Sequence, residues 1–172
     1  MDLPPLSLYI HFPWCVQKCP YCDFNSHNLG SHKQDFNLYI DALATDFVDQ
    51  YQALNKRPIE TIFIGGGTPS LLPGKGIERL LSTIRRYAPL ADDIEITLEA
   101  NPGAVDADHF SDYRLSGINR LSIRIQSFDN NALEVLGRIH DHDQAIAAYL
   151  SAYTAGFENI NLDLMFGLPQ QD

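Results

Sequence analysis

Short apolar runs alternate along the chain with longer segments of helical periodicity. Five runs have the aliphatic and β-branched composition of strands, at 6–12, 61–66, 94–99, 120–127 and 159–167. Between them, apolar residues recur at helical spacing in the segments 33–54, 76–88, 106–117 and 143–156. The last two segments end on Gly117 and Gly156, as is typical of helix C-termini. This order of elements predicts βαβ units and a parallel sheet.

The first helical segment, 33–54, has a clear apolar face. The residues on that face are Phe36, Tyr39, Ile40, Leu43, Phe47 and Tyr51. Because they recur every three or four positions, they form one stripe along a helix, and we expect this stripe to pack on the sheet.

The last three strand-like runs alternate between aliphatic and polar side chains. One face has Ile94, Ile96, Leu98, Leu121, Ile123, Ile125, Ile160, Leu162 and Leu164. The other face has Glu95, Thr97, Glu99, Ser122, Arg124, Gln126, Asn161 and Asp163. A parallel sheet with helices on both faces has nearly continuous apolar strands, so this alternation predicts helices on one face only. The polar face then lines the interior of a barrel, or of part of one.

The chain length limits the size of that barrel. The 172 residues are enough for one domain with a core. A complete eight-stranded barrel takes about 250 residues, and the fifth strand-like run lies close to the end of this sequence. We therefore expect a single α/β domain over residues 1–172, a partial barrel truncated after its fifth strand.

The charge balance and the apolar runs narrow the class of protein. There are 12 Lys and Arg against 22 Asp and Glu, a net charge of −10, which argues against a large nucleic-acid surface. No apolar run approaches the ~20 residues of a transmembrane segment, and the N-terminus lacks a signal sequence, so we expect a cytoplasmic protein. In that compartment, clustered cysteines more often bind metal or carry out redox chemistry than form disulfides.

The three cysteines all lie in the segment WCVQKCPYCDF. Cys15, Cys19 and Cys22 have the spacing C-x3-C-x2-C and directly follow the first strand-like run. A zinc site is open, with His11 or His27 as a fourth ligand. An iron–sulfur cluster is also open: three thiolates would bind three irons of a 4Fe-4S cluster and leave the fourth iron for a small molecule. Three buried apolar thiols are the purely structural alternative.

The cysteine spacing, with Tyr21 before the last cysteine, resembles the radical S-adenosylmethionine (SAM) superfamily. Further segments narrow the resemblance: YIHFPWCVQKCPYCDFNSH, FIGGGTPSLL, EANPG, QSF, LGRIHDH and NLDLMFGLP. Together they resemble the branch of oxygen-independent coproporphyrinogen III oxidases, and within it most of all the heme chaperones of the HemW type. The likeness extends from Tyr9 to Pro169.

The resemblance implies a fold and a set of cofactor sites. The fold is a partial (β/α)6 TIM-like barrel of the radical SAM type, whose sixth strand and C-terminal domain this sequence lacks. Cys15, Cys19 and Cys22 match the ligands of the 4Fe-4S cluster, whose open iron binds SAM. The positions that match SAM contacts are Tyr9, Tyr21, Gly66, Gly67, Thr68, Glu99, Gln126, Arg138 and Asp163. Glycines at a strand end also allow the backbone to approach a ligand closely.

Two activities are open within this branch. The oxidases, which decarboxylate coproporphyrinogen III to protoporphyrinogen IX, carry an additional cysteine where this chain has Phe24. Phe24 therefore favours a heme chaperone, which binds heme and transfers it to acceptor proteins, with a low-potential electron donor as a further partner. A zinc-binding module is the alternative from another class. No residue is assigned as a heme ligand or as a catalytic residue.

One position departs from the family pattern. Where the family usually has glycine, the segment SIRIQSF has Arg124. Arg124 shares a strand face with Gln126 and is expected to point into the barrel, where an unpaired charge would be very costly. Glu95 or Glu99 on the neighbouring strand could pair with it. If Arg124 pairs with Glu99, the match of Glu99 to a cofactor-binding position is called into question.

Overall fold

The computed structural model describes residues 3–30, 34–54, 56–103 and 109–171. Its strands are β1 Leu6–Phe12, β2 Trp14–Cys15, β3 His27–Asn28, β4 Ile59–Gly66, β5 Leu90–Ala100, β6 Arg120–Gln126 and β7 Asn159–Leu164. Its helices are α1 Phe36–Gln52, α2 Gly74–Tyr87, α3 Phe110–Ser116, α4 Asn130–Val135 and α5 His142–Thr154. A 3-10 turn covers Pro69–Leu71.

The five longer strands form one sheet in the order β1-β4-β5-β6-β7. Every neighbouring pair is parallel, so all five carboxyl ends lie at the same edge of the sheet. The short strands β2 and β3 form a separate parallel pair just beyond the end of β1. The predicted parallel α/β sheet is therefore confirmed, and the loops after β1, β4, β5 and β6 meet at one edge.

The core lies between the helices and one face of the sheet. Ile64, Leu98 and Ile123 on three adjacent strands are completely buried. Helix α2 contributes the buried residues Ile77, Leu80, Leu81 and Ile84. The opposite face has the polar side chains of β5 and β6. This division confirms the prediction of helices on one side and a polar interior on the other, as in a partial barrel.

Helix α1 confirms the predicted apolar stripe. It begins at Phe36 because the Asp35 carboxylate accepts hydrogen bonds from the backbone N–H groups of Asn37 and Leu38. Ile40 and Tyr51 are buried. The other four residues of the stripe are partly buried against the core: Phe36, Tyr39, Leu43 and Phe47.

On the edge strand β7, one side chain is more exposed than predicted. Leu164 is 59% exposed, although its alternation placed it on the buried aliphatic face. Among the described strands β7 pairs with β6 alone, so fewer neighbours cover its side chains. Ile160 and Leu162 are partly buried, as predicted.

The predicted helix ends are also informative. Gly117 at φ 104° follows α3, and Gly156 at φ 88° lies just after α5, as expected for left-handed residues at helix ends. Part of the predicted segment 106–117 lies outside the described residues.

No helix in the described part of the chain is long and apolar enough to cross a membrane.

Candidate functional site

The two ends of the cysteine loop, residues 15–28, are held together by strand pairing. The pairing of β2 with β3 brings the start of the loop next to its end. Inside the loop, the Lys18 backbone N–H donates to Oδ1 of Asn28 at 2.7 Å. Lys18 Nζ donates to the carbonyl oxygens of Phe24 and Ser26, each at 3.2 Å. These bonds fix the path of the loop, and so the directions of the cysteine side chains.

The three thiols open into a single cleft at the carboxyl edge of the sheet. None of them is in a disulfide; Cys15 is buried, and Cys19 and Cys22 are partly exposed. The other residues that line the cleft are Gln17, Tyr21, Phe24, Gly67, Thr68, Asn101, Arg124, Gln126 and Arg138. The loop and the ends of β4, β5 and β6 thus contribute to one cleft.

No metal site is preformed in the described part of the chain. No three His, Cys, Asp or Glu side chains there, the three cysteines included, are grouped so as to hold a metal ion, so the arrangement by itself does not favour iron over zinc. His11 is already engaged at both ring nitrogens. Its Nε2 donates to the carbonyl oxygen of Asn25 at 2.8 Å, and its Nδ1 accepts from the Tyr9 hydroxyl at 3.0 Å.

Arg138 connects the cysteines to the rest of the cleft. Its Nη1 donates to Sγ of Cys19 at 3.4 Å. Its Nη2 donates to Oδ1 of Asn101 and to the carbonyl oxygen of Arg124, both at 2.9 Å. The buried Nε has no hydrogen-bond partner within the described structure. Arg138 therefore places a positive charge directly beside a cysteine of the cleft.

Asn101 is a site residue that the sequence analysis missed. Besides accepting from Arg138, its amide donates to Oγ1 of Thr68 at 3.1 Å. It thereby connects the loops that follow β4 and β5 to the cysteine loop. The segment EANPG pointed to it, but only Glu99 of that segment was assigned a role.

The glycines after β4 have a structural reason of their own. A Cβ on Gly67 would lie 2.4 Å from the carbonyl oxygen of Trp14, and one on Gly66 would lie 2.7 Å from that of Phe12. The backbone N–H of Gly67 donates to the Phe12 carbonyl at 2.6 Å, and that of Thr68 to the Trp14 carbonyl at 2.7 Å. In the structure this backbone therefore closely approaches the chain's own backbone at Phe12 and Trp14, directly before the cysteine loop.

Arg124 pairs with Glu99, one of the two predicted partners. Its guanidinium contacts the Glu99 carboxylate, and the two side chains are 14% and 13% exposed. Nη1 donates to the carbonyl oxygen of Gly67 at 2.8 Å, and Nη2 to that of Gly66 at 3.1 Å. The guanidinium carbon also lies 5.6 Å from the ring centre of Phe24. The Arg124 guanidinium is therefore in contact with a carboxylate, two backbone carbonyl oxygens and an aromatic ring.

The electrostatics of the cleft follow from burial. Burial raises the pKa of Glu99, the Arg124 guanidinium and the Gly66 N–H group oppose that rise, and Asp163 adds to it. Burial also raises the pKa of Tyr21, against the effect of Arg138. Interactions between charges are stronger here than on the surface because little water screens them.

The structure brings together eight of the twelve predicted site residues. Those that line the cysteine cleft are Cys15, Cys19, Cys22, Tyr21, Gly67, Thr68, Gln126 and Arg138. Gly66 and Glu99 do not line the cleft, but both accept hydrogen bonds from Arg124, which does. Tyr9 stacks on Phe63 farther along the polar face, at 6.2 Å between ring centres.

Asp163 also lies apart from the cysteine cleft, on the edge strand β7. It accepts from the amide of Asn161 at 2.7 Å. The Ser122 hydroxyl lies 3.4 Å from both of its carboxylate oxygens. Both nearby partners are on β6 and β7, so Asp163 belongs to the polar face of the sheet and not to the lining of the cleft.

Curated proteins similar to this chain are heme chaperones. The chain is 53% identical over 171 residues to the heme chaperone HemW of Escherichia coli K12, covering 99% of this chain and 45% of that protein. It is 39% identical to HemW of Bacillus subtilis, covering 96% of this chain and 43% of that protein. The chain thus spans less than half of the length of these relatives.

Solved structures and a family model agree with the fold. The coproporphyrinogen III oxidase HemN of E. coli superposes with a TM-score of 0.86 at 32% identity, covering 97% of this chain and 38% of that one. The FeFe-hydrogenase maturase HydG of Carboxydothermus hydrogenoformans reaches 0.59 at 14% identity, covering 96% and 38%, a likeness of fold alone. Residues 9–172 match the model of the radical SAM superfamily. The chain therefore belongs to the radical SAM superfamily.

Proposed function

We propose that this chain is the cluster- and SAM-binding domain, over residues 1–172, of a cytoplasmic HemW-like heme chaperone. The observation that carries the proposal is the cysteine cleft. Three free thiols on a braced loop open into the same cleft as polar residues from the carboxyl ends of three strands. Loops at this edge are where barrels of this kind hold their reactive groups.

The residues of the cleft fit a 4Fe-4S cluster with bound SAM. Cys15, Cys19 and Cys22 would hold three irons of the cluster, which would supply a low-potential electron to bound SAM. Arg138 donates to Sγ of Cys19, and its Nε–H, which has no partner in the described structure, is a donor suited to an anionic group. Glu99 offers a carboxylate to an ammonium or to a ribose hydroxyl.

The heme chaperone activity rests on similarity and on one residue. The relatives that are 39% and 53% identical to the chain are named heme chaperones. Phe24 stands where the coproporphyrinogen oxidases are expected to have a further cysteine. We therefore propose heme as the ligand, heme-acceptor proteins as partners, and porphyrin and heme metabolism as the setting.

Anaerobic reconstitution with iron and sulfide tests the cluster. The chain is expected to gain the absorption of a 4Fe-4S cluster and, after reduction, an EPR signal that changes when SAM is added. Alanine at any of the three cysteines should abolish that absorption. Gln17→Ala is the matched control, since Gln17 lies in the same loop and donates to the Gly137 carbonyl without being a candidate ligand. Stoichiometric zinc with no uptake of iron would instead support the zinc-binding module.

A heme titration separates the chaperone from the oxidase. A heme chaperone gains a Soret band on addition of heme and leaves coproporphyrinogen III unchanged in the presence of SAM and a reductant. Decarboxylation of coproporphyrinogen III by the reconstituted chain would overturn the chaperone proposal in favour of the oxidase.

A further inference from the structure

The guanidinium of Arg124 occupies a site made of groups that attract cations. It donates to the carbonyl oxygens of Gly66 and Gly67 and to the carboxylate of Glu99, and it lies over the ring of Phe24. Backbone carbonyls, a carboxylate and an aromatic face are the three kinds of group by which proteins recognise a positive charge. The side chain of Arg124 is 14% exposed, so the site is largely shielded from water.

The acceptors in this site lie beyond the pairing of β4 with β5. That register ends at Ile64 and Leu98, whereas on the other side of β4 the pairing with β1 continues to Gly66 and Phe12. On the side of β5, the carbonyl oxygens of Gly66 and Gly67 are therefore open to a donor that enters the cleft. In this structure the donor is a side chain of the protein itself.

The ion pair is also a poor candidate for a purely stabilising contact. Removing two charges from water costs several kcal/mol per ion, and their mutual attraction often fails to recover that cost. Apolar side chains of similar size could fill the same space without that cost. The position of Arg124, between the cysteine loop and the glycines, is instead where a bound ligand would meet the backbone of β4.

We infer that Arg124 is a resident cation that occupies the subsite for the amino group of SAM, so that SAM must displace its guanidinium to bind. This inference rests on the proposed function, and it adds to that function a residue that controls affinity for the cofactor. A guanidinium and an amino group are both N–H donors, so they cannot occupy the same acceptors at the same time.

A calorimetric titration of the reconstituted protein with SAM tests the competition. Arg124→Gly is expected to bind SAM about tenfold more tightly than the unaltered chain, since no cation must be displaced. Arg124→Lys keeps a cation in place and should bind as weakly as the unaltered chain. Arg120→Gly is the matched control on the same strand and face, and it should leave the affinity unchanged. Equal or weaker binding of SAM by Arg124→Gly overturns the inference.

A second measurement tests the cation site without any cluster or SAM. Methylguanidinium should refill the vacated site, so it should raise the melting temperature of Arg124→Gly but not that of the unaltered apoprotein. It should also compete with SAM for the reconstituted variant. Arg124→Ala repeats the test with a residue better suited to a strand. No stabilisation of either variant overturns the cation site, whereas failure to take up iron overturns the proposed function alone.

Discussion

Two Glu–Arg pairs join β5 to β6 on the same face of the sheet, and they differ in almost every physical respect. Glu95, in the middle of β5, and Arg120, the first residue of β6, have side chains that are 46% and 24% exposed, with 3.9 Å between Oε2 of Glu95 and Nε of Arg120. Glu99 and Arg124, four residues farther along each strand, are 13% and 14% exposed and hydrogen-bond to the backbone of β4. The same residue types at the same spacing form a solvated ion pair at one end and part of a cleft at the other.

Burial decides how strongly an ion pair of this kind affects stability. An exposed pair gains little because water screens the charges and the long side chains lose freedom. A buried pair is costly to form and still more costly to break, because one charge is then left without a partner. Only the inner pair is therefore expected to influence both stability and ligand binding.

Replacing the carboxylate of each pair by an amide should give the largest difference in stability between the two pairs. Glu99→Gln leaves the buried guanidinium of Arg124 without its counter-charge, and we expect a loss of about 3 kcal/mol in the free energy of unfolding. Glu95→Gln at the exposed pair should cost below about 1 kcal/mol. Urea denaturation of both variants measures the difference.

The double variant Glu99→Gln, Arg124→Met is the control for that loss. It removes both charges, so most of the lost stability should return, because replacing a buried ion pair with apolar side chains is often neutral. If Glu99→Gln and Glu95→Gln cost the same, burial does not distinguish the two pairs.

The sequence was sufficient to predict most of the fold. The strand at 6–12 agrees residue for residue with β1, and the stripe from Phe36 to Tyr51 lies on the core as expected. Alternation also assigned Glu95, Glu99 and Arg124 to the polar face of two neighbouring strands. Periodicity identifies a face, but not how deeply a residue lies along that face. The choice of Glu99 over Glu95 as the partner of Arg124 therefore required the structure.

The sequence was less informative about short elements and about loops. The strands β2 and β3 have two residues each, too few for any periodic signal. Helix α4 has six residues and was not predicted; in the structure the Asp129 carboxylate caps its start. The hydrogen bonds of Asn101 connect three loops that lie far apart in sequence. No local pattern records such contacts.

The glycines at the two ends of the sheet give a second comparison. Gly67 lies in the cleft, and a Cβ there would lie 2.4 Å from the Trp14 carbonyl oxygen. Gly156 precedes β7 at the opposite end, and a Cβ there would meet nothing within 4 Å, although its φ is +88°. Gly67→Ala should cost about 3 kcal/mol through crowding, and Gly156→Ala about 1 kcal/mol through backbone strain alone.

Thermal denaturation of the two alanine variants measures these costs, and the reconstituted iron content gives an independent check. Gly67→Ala should also lower iron uptake, since it displaces the start of the cysteine loop. Gly156→Ala should leave iron uptake unchanged. Equal effects on iron uptake would argue against the packing of Gly67 on the cysteine loop.

His140 extends the comparison to the pH dependence of stability. It is 5% exposed, its Nε2 donates to the Ile125 carbonyl, and its Nδ1 has no partner in the described structure. Burial, together with Arg138, lowers the pKa of His140 to about 4 from 6.5. The unfolded chain then binds a proton that the folded chain does not accept.

Above pH 6.5, His140 should therefore have no effect on the free energy of unfolding. As the pH falls from 6.5 towards 4, the free energy of unfolding should decline, because only the unfolded chain takes up the proton. We expect a decrease on the order of 2 kcal/mol over that range. Denaturant unfolding at several pH values measures it. His140→Gln keeps a side-chain N–H donor but cannot titrate, so its stability should vary less between these pH values. An equally steep decline in that variant would contradict the assignment to His140.

The smallest expected effect concerns the titration of Glu99 itself. Burial raises the pKa of Glu99, and Arg124 opposes that rise. Arg124→Gly removes the opposing charge while burial and the nearby Asp163 remain, so the pKa of Glu99 should rise further. The folded state then holds a proton that the unfolded state has already released, and stability declines as the pH rises through the raised pKa. Carbon NMR of the labelled glutamate carboxyl groups follows this titration directly. Arg120→Gly is the control, because Arg120 pairs with Glu95 and should leave Glu99 unaffected. An unchanged or lower pKa for Glu99 in Arg124→Gly would show that the two pairs differ in exposure alone, and not in how strongly each arginine acts on its carboxylate.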